Sequence, residues 1–188
     1  MLHRRFLGAF ALCATLLSSV PAMARDYLQC VPFARAESGV EIRGNAKTWW
    51  AQAAGAYERG REPRKGAVMA FAGTSAMPLG HVAVVKKVVS DREILIDHAN
   101  WSPIGGRRGQ IERNVRVVDV SAAGDWSAVR VWYAPIGDLG LRANPVQGFI
   151  YADGDAKPDH RFGGGEPRWA ANDWKPGNGL DLVVASLR

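Results

Sequence analysis

Cysteine is almost absent from this chain: among 188 residues there are two, Cys13 and Cys30. Cys13 lies inside an apolar stretch near the N-terminus, so only Cys30 is expected in the mature protein, and an internal disulfide is excluded. The fold must then stand on its core alone. Long hydrophobic runs are missing too, since the stretch from Phe6 to Leu17 is too short to span a bilayer. No dense Lys/Arg cluster interleaved with aromatics is present, which argues against nucleic acid as a partner. Zinc-type spacings such as C-x-x-C or H-x-x-x-H are lacking, although Cys30, His81, Asp97 and His98 could be gathered into a ligand list. G-x-S-x-G is missing as well, which leaves a serine hydrolase without support. No internal repeat is visible.

What is present begins with a leader. His3, Arg4 and Arg5 make a basic start, the apolar run follows, and Ala22-Met23-Ala24 offers the small residues of a cleavage site. Residues 1–24 therefore read as a signal peptide, and the protein as exported, either periplasmic or secreted. Leu12, rather than a small residue, precedes Cys13, so a lipid anchor is not expected. Cleavage leaves 164 residues, enough for one domain with a real core. It also removes two arginines, so the formal charge falls from +6 to +4. A mildly basic exported protein suits an anionic polymer such as a cell wall, or a membrane surface.

Along the mature chain two helices precede a run of strands. The first opens at Cys30, with Asp26 able to cap it, and ends near Gly39. The second starts at Asn45, carries Trp50, Ala53, Ala54 and Tyr57 on one face, and is stopped by Gly60 and Pro63. Strand periodicity then predicts 66–72, 80–89, 93–100, 111–120, 128–133 and 146–151, with Ser90-Asp91-Arg92 as a hairpin link. A loop rich in Gly and Arg spans 102–109. The fold class expected is α+β, with N-terminal helices packed on an antiparallel β-sheet. Residues 25–151 would form the folded domain. Residues 152–188, rich in Gly, Pro, Asp and Lys with Trp169 and Trp174, read as a polar tail in which 180–187 could dock back.

An unpaired thiol in an exported protein is a liability, so its presence asks for a reason. At a helix start the macrodipole lowers its pKa and favours thiolate, which would alkylate well below pH 8.5. The unpaired N–H groups of the first turn can hold an oxyanion. Against this stands the reading of Cys30 as a small buried hydrophobe. His81 heads an apolar strand-like run, 81–85, where a buried ring needs a partner, and a thiolate is a natural one. The bland alternative is a strand-end histidine bonded to a carbonyl. In the segment 94–101, alternation puts His98 and Asn100 on one face and Asp97 on the other. His98 first, then Asn100, then Asp97 could accept the Nδ1–H of His81 and aim its Nε2 at the sulfur. Asn100 and Trp101 could equally do no more than shape a loop.

These residues in this order resemble a known family. Cys30-Val31-Pro32-Phe33-Ala34-Arg35, Gly44-Asn45-Ala46 with Trp49-Trp50, the entry from Pro63 to Gly66, Gly80-His81-Val82-Ala83-Val84-Val85 and Asn100-Trp101 are similar to the CHAP domain, the cysteine, histidine-dependent amidohydrolase/peptidase. The resemblance spans roughly residues 28–133. It implies a papain-like fold and action on peptidoglycan, with Cys30 as nucleophile, His81 as general base and no cofactor. His98 or Asn100 would hold His81. His98 stands where many members carry an acid two positions before the Asn-Trp pair. The Cys30 N–H, helped by the Tyr27 or Gln29 side chain, would receive the oxyanion.

The function expected is thus hydrolysis of amide bonds in peptidoglycan by an exported cysteine peptidase or amidase, with no stable membrane insertion after leader cleavage. Rival readings are an amidase or transferase on a small amide, and a non-catalytic wall-binding or interaction domain, since fold does not fix function.

Overall fold

A computed structural model describes residues 27–152. The expected leader, the Asp26 cap and the tail beyond residue 152 lie outside them. Eight strands make one sheet: β1 (Glu58–Gly60), β2 (Val68–Phe71), β3 (His81–Ser90), β4 (Glu93–Ala99), β5 (Ile111–Asp119), β6 (Ala128–Tyr133), β7 (Asp138–Leu139) and β8 (Asn144–Tyr151). Their order is β1-β8-β2-β3-β4-β5-β6-β7, and every pairing is antiparallel. β8 also pairs with β6. That extra pairing closes β8, β2, β3, β4, β5 and β6 into a barrel, which hides the edges an open sheet would expose.

The α+β expectation holds as helices with an antiparallel sheet, but the balance differs. The sheet dominates, and the picture of a helical layer resting on an open sheet gives way to a closed barrel with one substantial helix outside. That helix, α1 (Cys30–Ser38), ends at Gly39 in the left-handed region, φ 76°, as its sequence asks. Gln29 occupies its N-cap, without a side-chain bond. The second helix is far shorter than the sequence suggests: a 3₁₀ turn over Ala46–Thr48 leads into α2 (Trp49–Gln52). Gly55, φ 77°, turns the chain away, and Glu58–Gly60 joins β8 as a strand. The buried tryptophan is accordingly Trp49, fully covered, while Trp50 is half-buried.

Alternation along β2 and β3 builds two cores. Met69, Phe71, Ala83 and Val85 fill the barrel interior with Ile94, Ile96, Val115 and Val117. Val68, Ala70, Val82 and Val84 face outward and pack under α1 and Trp49, where Cys30 and Ala34 meet them. This arrangement brings Cys30 and His81 together. α1 lies across the outer face of β3, and His81 is the first residue of that strand, on the inward-facing side.

One irregularity matters later. Between β4 and β5, Ile96 pairs with Val115 and His98 with Glu112, so two steps on β4 oppose three on β5. Asn114 takes a left-handed conformation, φ 53°, and absorbs the extra residue as a β-bulge.

Candidate active site

Cys30 and His81 open into one cleft of about 990 Å³, which Gln29, Asn100, Trp101 and Arg108 also line. Both reactive side chains are nearly covered, Cys30 9 % and His81 4 % exposed. The backbone N–H groups of Val82, Val31 and Cys30 are directed at the sulfur. Since Val82 follows His81 in β3, the thiol stands at the very end of the strand that carries the imidazole.

His81 Nε2 lies 3.0 Å from His98 Nδ1. Of the three candidates for holding His81, His98 is the one that reaches it. The ring nitrogens are exchanged relative to expectation, however. Nε2 of His81 is turned into the barrel toward His98, which leaves Nδ1 as the nitrogen free for the thiol. The reason is the strand parity: His81 and His98 both point inward, so they meet through the far side of the His81 ring. Trp101 covers the pair, its ring centroid 5.0 Å from His81 and stacked on His98 at 5.6 Å. Phe71 closes the other flank edge-on, 5.5 Å from His81. Trp101 thus does more than shape a loop.

Asn100 does not meet His81 in this arrangement. It sits in the left-handed region, φ 66°, and its Nδ2 donates to Gln29 Oε1 at 2.8 Å, tying the strand end to the residue before Cys30. Asp97 points to the opposite face, as alternation requires. There it accepts the Asn114 N–H at 2.7 Å and pairs with Arg113 at 3.0 Å, bracing the bulge. Gln29 borders the cleft beside the sulfur, whereas Tyr27 lies against Gly109, whose close approach accommodates the ring. Gln29 is therefore the better placed of the two oxyanion candidates.

Electrostatics departs from the thiolate expectation. Burial pushes the Cys30 thiol above its ordinary value, and the backbone N–H groups of Val82, Val31 and Cys30 offset this only in part. Burial likewise holds His81 well below the usual imidazole range, with His98 and Arg108 adding to the effect, and brings His98 to about 3. Both shifts favour a neutral thiol beside a neutral imidazole over a thiolate–imidazolium pair. A nine-residue helix with its cysteine nearly covered gives less by its dipole than burial takes away. A raised thiol pKa means less thiolate at any given pH. Alkylation by iodoacetamide should then titrate with a midpoint above the ordinary thiol value of about 8.5. A midpoint below about 7 would show the ion pair instead.

Sequence reasoning missed one residue of this neighbourhood. Glu112, on β5, is fully buried behind His98, with Oε1 3.9 Å from His98 Nε2. Read by alternation alone, Glu112 belongs on the polar face with Asn114 and Arg116, and only the bulge turns it inward. Among the described residues no group of His, Cys, Asp or Glu side chains is arranged to hold a metal ion.

A cysteine at a helix start, an inward histidine at a strand start and a shared cleft define a mixed α+β domain of the cysteine–histidine kind. The family model of the CHAP domain matches residues 21–100, and over that segment the chain is similar to the CHAP family. CHAP domains are typically cysteine- and histidine-dependent amidohydrolases, and Cys30, His81 and Asn100 fall within the matched segment. No curated protein matches the chain.

Proposed function

We propose that this protein is an exported cysteine hydrolase that cuts amide bonds in peptidoglycan, with Cys30 as nucleophile and His81 as general base. The observation that carries the reading is the convergence of Cys30 and His81 on one cleft, with His98 bonded behind His81. The domain would be papain-like in its use of a helix-borne thiol beside a strand-borne imidazole.

In the resting site thiol and imidazole are both neutral. As the substrate carbonyl approaches, the Cys30 proton passes to His81 Nδ1 while sulfur bonds to carbon, so nucleophile and imidazolium form together. The carbonyl oxygen gains charge and is received by the first-turn N–H of Cys30, with the Gln29 amide beside it. The tetrahedral intermediate then collapses. His81 gives its proton to the departing amine, leaving an acyl-enzyme that water, deprotonated by the same ring, hydrolyses. His98 holds the ring throughout, and Trp101 keeps water from the pair.

Arg108 and Arg142 line the cleft, and Leu79, Ile136 and Leu141 form exposed apolar lips, 56 %, 52 % and 88 % accessible. Such a surface suits an extended peptide carrying carboxylates better than a small amide, which favours a wall peptide as substrate. The leader in residues 1–24 would deliver the protein to the wall, and residues 25–151 would be its working domain. Among the described residues no helix is long and apolar enough to cross a membrane. The test is digestion of purified peptidoglycan, with new free amines and new reducing sugar ends counted separately. Amines should rise without reducing ends. A rise in reducing ends alone, or in neither, would overturn the reading.

A further inference from the structure

Behind the histidine pair the barrel buries a carboxylate. Glu112 is 0 % exposed, and so is His98, its cross-strand partner. Glu112 Oε1 accepts the Ser102 N–H at 2.6 Å. Its Oε2 and the Nε2 of His98 are both buried without a hydrogen-bond partner, while Oε1 and that Nε2 stand 3.9 Å apart. Two unpartnered polar atoms in a core cost about 1–3 kcal/mol each, and a small turn of the carboxylate, with Oε1 kept on the Ser102 N–H, would bring Oε2 to the Nε2 of His98 and meet both. The placement is built rather than incidental. Without the bulge at Asn114, Arg113 would face the barrel interior. With it, Arg113 turns out to Asp97 and Glu37, and Glu112 turns in to His98.

We propose that Glu112 is a positioning residue that sets the proton order of the histidine pair. The carboxylate accepts the Nε2–H of His98, so Nδ1 of His98 is bare and accepts the Nε2–H of His81. Nδ1 of His81 is then bare in turn and stands as the base for the Cys30 thiol. When that thiol proton moves to His81, the new positive charge lies one ring away from the Glu112 negative charge. Each hydrogen bond in the chain keeps its own proton, and only the thiol proton is transferred. Glu112 lies outside the segment matched to the CHAP family, 21–100, so this arrangement goes beyond what the family match covers. Its catalytic meaning rests on the hydrolase reading, but the proton order does not.

The experiment is heteronuclear NMR of the imidazole nitrogens in the purified protein and in Glu112→Gln, with peptidoglycan turnover measured on both. In the unmodified protein both rings should carry their proton on Nε2. In Glu112→Gln the amide oxygen stays with the Ser102 N–H, so the NH₂ faces His98 and donates to its Nε2. That inverts both rings to Nδ1–H, removes the base, and lowers kcat about a hundredfold or more with KM little changed. A loop-holding role alone would leave the tautomers as they were. Nδ1–H on either ring in the unmodified protein, or unaltered tautomers in the variant, would overturn the proposal. Should Glu112→Gln fail to fold, the unmodified spectrum decides by itself. Inverted tautomers in a protein that cuts no peptidoglycan would sink the hydrolase reading and leave the proton order standing.

Discussion

Replacing His81 by alanine should lower kcat about a thousandfold, because proton transfer by a positioned base contributes roughly 10²–10⁴ in rate. The ring is 4 % exposed and its Nε2 is committed to His98, so no neighbouring side chain can take over the base at Nδ1. Asn100, a candidate for holding the ring rather than for replacing it, is bonded to Gln29 instead. KM should change little, since the ring acts on the thiol rather than on the bulk of the substrate. The variant leaves a cavity and an unpaired His98 Nδ1, so stability should fall by about 1–3 kcal/mol, and thermal unfolding must confirm that the protein is still folded at the assay temperature. Added imidazole, small enough for the vacated space, should restore part of the rate. A turnover within tenfold of the unmodified protein, with the fold intact, would remove His81 from the role of base.

Gly80→Ala should be the most damaging single methyl group in the site. Gly80 sits at φ 71°, and a Cβ there would lie 2.6 Å from the Lys47 backbone nitrogen and 2.8 Å from its Cα. Backbone cannot swing aside as a flexible side chain can. The left-handed conformation alone costs a residue with a Cβ about 1–2 kcal/mol, and the collision brings the expected loss to roughly 3 kcal/mol or more. The strain falls where it matters: Gly80 precedes the base, and Lys47, whose N–H donates to Leu79 O at 2.8 Å, follows the Asn45-Ala46 wall of the cleft. Activity should therefore drop beyond what lost stability explains. Gly55→Ala is the control. Its φ is 77° but nothing lies within 4 Å of its Cβ, so only the conformational cost of about 1 kcal/mol remains. Equal shifts in the urea midpoint for the two variants would show that the contact with Lys47 does not hold the site.

Much of this was legible in the residues, and the failures are physical. Gly39, following an apolar helical run, marks where α1 ends because only a left-handed residue closes it cheaply. The strand of His81 and the hairpin at Asp91-Arg92 follow from apolar periodicity and a short polar turn. Cys30 and His81 drew attention because each is the wrong residue for a bland core. The second helix misled because its tryptophans and alanines fit a helical face, while Gly55 turns the chain in the left-handed region and Glu58–Gly60 pairs with β8, a long-range contact. Closure of the barrel depends on β6 meeting β8, a long-range contact that no local pattern records. Burial, which pushes the Cys30 thiol up, is a tertiary quantity that no local pattern records. Glu112 was invisible for the same kind of reason: alternation is a rule of period two, and one bulged residue at Asn114 reverses it.

The central claim is that the Cys30 sulfur attacks an amide of the wall. Digestion of purified peptidoglycan by the intact protein beside Cys30→Ala, with released fragments weighed by mass spectrometry, tests it most directly. The account predicts fragments from the unmodified protein alone, with masses that name an amide as the bond cut. Equal release by Cys30→Ala, or none by either protein across walls of different chemistry, would contradict it.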